Sequence, residues 1–223
     1  MRSVVALILG TILVASSAMA AEAGDALFGR RGFREDSLVA LPAWQGVLAR
    51  LDAERPLWRA CAERDPACPS RAGMAWQALL RGLAGEPPER QLREVNRFAN
   101  SWAYRADREV WGRSDYWATP LEFLRRSGDC EDYVILKYVS LRQLGFAADR
   151  LRLVVVRDSL RGLVHAVLAV RLGGETLILD NLADAILPDR RLVHYEPYYS
   201  ANETARWAHV GVNALVVSGA AAR

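Results

Sequence analysis

One stretch, Glu131 to Leu144, constrains this chain more than any other. Val134, Ile135, Leu136, Tyr138, Val139, Leu141 and Leu144 spread around most of a helical circumference, and Gly145 follows as a stop signal. A helix that is apolar on most faces has to be surrounded by the rest of the fold. The chain after it supplies strands. Leu151 to Val156, Leu163 to Leu172 and Glu175 to Leu182 are apolar runs of strand length, and Gly173-Gly174 joins the last two. A Gly-Gly pair between such runs predicts a two-residue hairpin, because the favoured turns need positive φ. The chain before the helix is helical in pattern. Trp44, Val47, Leu48 and Leu51 recur at helical spacing. Met74 to Leu83 and Arg90 to Ala99 give two more helices, with Glu86-Pro87-Pro88-Glu89 as the break between them. Thr119, Pro120 and Glu122 suit the N-cap, N1 and N3 positions of a further short helix. The expected fold is α+β. A helical lobe covers about 25–145, and a β lobe of antiparallel sheet, packed on the central helix, covers about 150–215. Asn213 to Arg223 reads as a short apolar strand and an Ala-rich tail.

The first twenty residues stand apart. Arg2, the apolar run Val4 to Ala15 and the small-x-small site Ala18-Met19-Ala20 have the pattern of a secretory signal peptide over residues 1–20. The alternative is an uncleaved anchor, but the run is short for the roughly 20 apolar residues of a span. The expected mature chain, 21–223, is exported without stable membrane insertion, to the periplasm if the cell has two membranes. The full chain's balance of 29 basic and 26 acidic residues gives no support to nucleic-acid binding. Lys137 is the single lysine. In an oxidising compartment Cys61 and Cys68 have a spacing that allows a local disulfide without requiring one. Cys130 is then the odd thiol, reactive or buried and inert. Trp102, Tyr104, Trp111, Tyr116 and Trp117 form an aromatic-rich region that reads as packing over the core, with a peptide-binding groove as the sharper alternative.

Candidate chemistry gathers on three residues. Cys130, in Gly128-Asp129-Cys130-Glu131-Asp132, falls where the central helix begins. The positive end of a helix dipole favours thiolate, and free backbone N–H groups of a first turn can hold an oxyanion. Three flanking carboxylates act the other way, so a base, a bound cation or both must offset them. His165 lies mid-strand among apolar residues, where a lone His is often only a core residue. The hairpin register brings it company. With Leu172 opposite Glu175, His165 faces Leu182, and Asp180 is its diagonal neighbour on the same face, about 7–8 Å away at Cα. Asn181 points to the opposite face. Nucleophile, base and orienting carboxylate fit Cys130, His165 and Asp180. A buried thiol with a core His and a strand-end Asp, or a mononuclear metal site, are the other readings of the trio. His194 and His209 read as structural or surface residues.

The stretch VNRFANSWAYRADREVWGRSDYWATPLEFLRRSGDCEDYVILKYVSLRQLGF, continued by LRLVVVRD, LVHAVLAV and LILDNLADAILP, resembles the bacterial transglutaminase-like cysteine proteinases, including periplasmic adhesin proteases of the LapG type. The likeness spans roughly residues 40–200. It implies a papain/transglutaminase-like fold with Cys130 as nucleophile, His165 as general base and Asp180 as the residue that orients it. It also implies calcium dependence, with Asp129 and Glu131 as ligands and Asp132 outside the expected set. The implied substrate is the N-terminal region of a large repeat-rich surface adhesin, cut near a di-alanine site to promote biofilm dispersal. The implied inhibitory partner is an inner-membrane cyclic-di-GMP receptor of the LapD type. A transglutaminase or an NlpC-type cell-wall peptidase would use the same trio, and a non-catalytic binding module would not need Cys130.

Overall fold

The computed structural model describes residues 26–210. A first strand, β1 (Arg31–Glu35), precedes six helices: α1 (Pro42–Glu63), α2 (Arg71–Leu83), α3 (Pro88–Asn100), α4 (Asp107–Val110), α5 (Pro120–Arg126) and α6 (Cys130–Gln143). Six strands follow: β2 (Leu151–Asp158), β3 (Leu163–Leu172), β4 (Glu175–Leu179), β5 (Leu187–Pro188), β6 (Tyr195–Ala201) and β7 (Arg206–Val210). They form one antiparallel sheet in the order β1-β7-β6-β2-β3-β4-β5. The expected signal peptide and the apolar C-terminal strand lie outside the described residues. No helix among the described residues is long and apolar enough to cross a membrane.

Every residue of α6 from Glu131 to Leu141 is buried. Leu153, Val155, Ala166, Leu168 and Val170 of β2 and β3 cover one side of the shared core. α3 and α5 pack on the helix as well. At ~1.5–3 kcal/mol for each large apolar side chain removed from water, this helix anchors both lobes. Its serine hydroxyl is satisfied within the core: Ser140 donates to Leu136 O at 2.6 Å and accepts from Trp76 Nε1 at 2.8 Å. A smaller cluster, with Val154, Val156, Val167 and Tyr195, lies separate from that core.

The hairpin has the expected register. Leu172 pairs with Glu175 and Leu168 with Leu179, across Gly173 and Gly174 at φ +59° and +83°. Two expectations need correction. The strand that begins at Glu175 stops at Leu179 rather than Leu182, because Asp180 turns its carboxylate onto the Leu182 N–H at 3.0 Å. The segment assigned to the helical lobe opens with β1, which belongs to the sheet through β7. Its sequence RGFRE has little apolar alternation, and pairing with a distant strand makes it extended. Among the aromatics, Trp117 is buried against Trp44, and Trp102, Trp111 and Tyr116 pack half-buried on the core, while Tyr104 is exposed.

Cys61 and Cys68 are bonded, tying the end of α1 to the loop before α2. A loop this short gives about 2–3 kcal/mol on the chain-entropy account. Replacing both cysteines by serine is expected to lower stability by about 2 kcal/mol in urea denaturation. The same variant should leave the alkylation rate of Cys130, the remaining free thiol, unchanged.

Candidate active site

Cys130 is the first residue of α6, and the chain around it is tightly fixed. Asp129 is the N-cap, and Asp132 closes a reciprocal capping box with it. The Asp132 carboxylate also accepts the Ala118 N–H at 2.6 Å and the Asp129 N–H at 3.2 Å. One buried side chain thus fastens the loop before α5 to the helix start. Gly128 is required by the same contact, since a Cβ there would collide with the Asp132 carboxylate. The Cys130 thiol is half-buried and donates to Glu131 Oε2 at 3.3 Å. Burial pushes it up, the charges of Glu131 and Asp129 push it further, and a backbone bond to Ala166 acts the other way. Ala166 is the residue after His165, so the thiol reaches β3 beside the imidazole.

His165 and Asp180 meet as the register predicts, with Nε2 and Oδ1 2.9 Å apart. Both are buried. Tyr195 Oη donates to the other carboxylate oxygen at 2.6 Å, and the Leu182 N–H adds a third bond. Burial alone would raise the Asp180 carboxyl; His165, Tyr195 and Leu182 outweigh it and hold the group below its ordinary value. With Nε2 engaged, Nδ1 is the ring nitrogen left to exchange a proton with a thiol. The segment carrying Asp180 is itself anchored, for Asn100 of α3 donates to Asp180 O at 2.9 Å. Sequence reasoning did not find Tyr195. It begins β6, far along the chain, and only the sheet order brings its hydroxyl here. His209 pairs with Ser200 Oγ at 2.9 Å on β7 and β6, and the His194 ring packs on Tyr195 at 4.3 Å.

Acidic side chains crowd around the helix start. Asp129 and Glu131, the two expected ligands, lie in three overlapping groups with Cys130, Asp107, Asp115 and Asp132, each group with its ligand atoms within 4.8 Å of one another. Asp107 and Asp115 were missed by sequence reasoning; both come from the chain between Ala106 and Trp117, which brings their carboxylates to the start of α6. Asp107 Oδ1 and Asp129 Oδ1 are buried without hydrogen-bond partners. Burial raises Asp107 to about 6, with Asp129 and Asp115 adding to it and the Tyr116 N–H opposing. Burial also raises Asp132 to about 8, opposed by the Ala118 N–H and reinforced by Asp129 and Asp107. Glu131 is raised by burial and by Asp129. Orphaned buried carboxylate oxygens among clustered acids fit a hard divalent cation.

These shifts set a sign for stability. An acid raised in the folded state favours folding when protonated, so its contribution is full below the unfolded value near 4 and is lost as pH rises through the folded value. In chelator the melting temperature is therefore expected to fall between pH 5 and pH 8, the span in which Asp107 and Asp132 ionise. A divalent cation should raise it more at pH 8 than at pH 5, as read by thermal melts at both pH values.

Comparison with known proteins places this geometry. The family described as bacterial transglutaminase-like cysteine proteinase BTLCP matches residues 57–214. LapG of Legionella pneumophila, solved with calcium bound, is similar at 33% identity over 68% of this chain and 85% of that one, with a TM-score of 0.60. Another structure of the same protein matches at 30% identity over 74% of this chain and 93% of that one, TM-score 0.61. Its EGTA-treated form matches at 30% over 72% and 90%, TM-score 0.60. A search of curated proteins finds no match. The matched stretch holds the thiol, the imidazole and the carboxylate, and the α+β fold is shared with LapG, so the chain belongs to the bacterial transglutaminase-like cysteine proteinases.

Proposed function

We propose that this cysteine proteinase is a calcium-dependent endopeptidase of the periplasm that cuts the N-terminal region of a large repeat-rich surface adhesin, releasing it and promoting biofilm dispersal. The observation that carries the reading is the fusion of two sites in one helical turn. Asp129, Cys130 and Glu131 are consecutive, so the thiol sits inside the acid cluster. A proteinase built this way needs a cation near its nucleophile. The calcium-bound and EGTA-treated forms of the LapG relative support calcium as that cation. The adhesin substrate, and an inner-membrane cyclic-di-GMP receptor of the LapD type as sequestering partner, follow from the sequence resemblance.

In this mechanism His165 Nδ1 accepts the Cys130 proton, and the thiolate attacks the scissile carbonyl carbon. Backbone N–H groups in the first turn of α6 stabilise the oxyanion. The imidazolium then protonates the leaving amine as the C–N bond breaks. His165 next takes a proton from water, which attacks the thioester and frees Cys130. Asp180, with Tyr195 behind it, holds the ring and stabilises its charged form. Asp129 and Glu131, with Asp107 and Asp115, would hold calcium, while Asp132 keeps both oxygens on the backbone. Calcium held there would supply positive charge that offsets the carboxylates raising the thiol.

The test is incubation with the N-terminal fragment of the largest repeat-rich adhesin of the same cell. A discrete cut is expected in calcium, none with Cys130→Ala, and a slower one in excess chelator. Amine-labelled product in place of hydrolysis would make the enzyme a transglutaminase. No cut in calcium would remove the adhesin from the reading, and undiminished turnover in chelator would remove calcium. Asp180→Asn is expected to lower kcat by about 10²–10⁴ with little change in KM, measured on the same fragment.

A further inference from the structure

Three consecutive residues of the loop before α5 each donate a hydrogen bond to one acid of the cluster at the start of α6. The Tyr116 N–H donates to Asp107 Oδ2. The Trp117 indole Nε1 donates to Asp115 Oδ1 at 3.1 Å. The Ala118 N–H donates to Asp132 Oδ1 at 2.6 Å. Asp107 and Asp132 are buried and held by main chain. Asp115 is different. It is exposed, and the indole is the one hydrogen-bond partner of its side chain among the described residues. Without that bond a short exposed carboxylate is free to swing in water, away from Asp107 and Glu131, with which it forms a group of ligand atoms within 4.8 Å of one another.

Trp117 is itself fixed. Its side chain is buried, its ring lies against Trp44 with centroids 6.5 Å apart, and Arg50 donates to its carbonyl oxygen. The residue before it is fixed as well. The Tyr116 ring packs on Trp111 at 4.3 Å, the Arg50 and Arg113 guanidinium groups lie 5.2 and 5.3 Å from it, and Tyr116 Oη donates to Glu122 Oε1 at 2.9 Å. An indole N–H donates and cannot accept, so it suits a carboxylate that stays ionised. It occupies one carboxylate oxygen and leaves the other to a cation. The Tyr116 N–H does the same for Asp107, whose Oδ1 is buried without a hydrogen-bond partner. The aromatic strip thus does more than cover the core: it aims two carboxylates at one place.

We propose that Trp117 is a positioning residue for the cation site: its indole N–H holds Asp115 in the cluster, aimed for a calcium ion. The assignment rests on calcium being the ion of this site and on Asp115 being one of its ligands. An exposed carboxylate already held in place loses less side-chain freedom when the ion binds. Hydrogen bonds that orient a ligand side chain typically account for about 10–100-fold in metal affinity.

The test is calcium binding by titration calorimetry on the wild-type protein, Trp117→Phe, Asp115→Ala and the double variant. Trp117→Phe keeps an aromatic ring against Trp44 and removes the donor. Its calcium dissociation constant is expected to rise about tenfold or more, while its melting temperature in chelator changes little. In the Asp115→Ala background the same substitution should have no further effect, because it acts through that carboxylate. Wild-type affinity in Trp117→Phe overturns the proposal. So does a loss that adds in full to that of Asp115→Ala, which marks Trp117 as packing only. A second measurement needs no change at Trp117. In protein labelled with ¹⁵N-tryptophan, one indole N–H signal is expected to move both on Asp115→Ala and on addition of calcium; no signal that answers to both overturns the assignment. A wild-type protein that takes up no calcium overturns the calcium reading and this assignment together, whereas calcium uptake that ignores Trp117→Phe overturns this assignment alone. Neither measurement involves substrate, so the protease reading stands or falls separately on the Cys130→Ala cleavage assay.

Discussion

A helix with every residue from Glu131 to Leu141 buried leaves little of itself in contact with solvent. Its first turn is where the core reaches the surface, and that end carries unsatisfied N–H groups and the positive pole of the dipole. The fold answers with acids. Asp129 and Asp132 cap the helix, and Asp132 ties Ala118 to it, so the loop between α4 and α5 is held against the same turn. The Cys130 thiol thus stands at the head of a helix buried along most of its length. The His165 imidazole stands on the strand packed against it, and the Asp180 carboxylate is pinned by a tyrosine, a backbone N–H and, through its own backbone, an asparagine.

That solution has an electrostatic consequence. Carboxylates that suit a helix N-terminus do not suit a thiolate, and several of them are buried beside Cys130. The thiol donates to Glu131, and burial and the neighbouring carboxylates push it up. Placing the Cys130 thiol inside an acid cluster calls for a bound cation to balance the charge. In the proposed mechanism stability and activity are coupled to the same ion, because the charge that relieves the carboxylates also releases the thiol.

Much of the architecture was legible in residue patterns. Gly173-Gly174 set the hairpin register, and the register alone selected Asp180 over Asn181 as the partner of His165. Thr119, Pro120 and Glu122 marked the start of α5, where the capping box is found. Other features had no local signal. RGFRE becomes a strand only because β7 pairs with it, and the strand from Glu175 ends early because a single side chain bonds the backbone two residues on.

Local sequence therefore determined the elements, the central helix, the hairpin and the Cys130–His165–Asp180 trio, because periodicity, turn chemistry and register act over short distances along the chain. Only the tertiary structure decided that Tyr195 completes the carboxylate's hydrogen bonds, that Asp107 and Asp115 join the acid cluster, and that Asp132 is occupied by backbone. Each of these depends on segments far apart in the chain being packed together, and hydrogen bonding and charge act through space, where no periodicity along the chain records them.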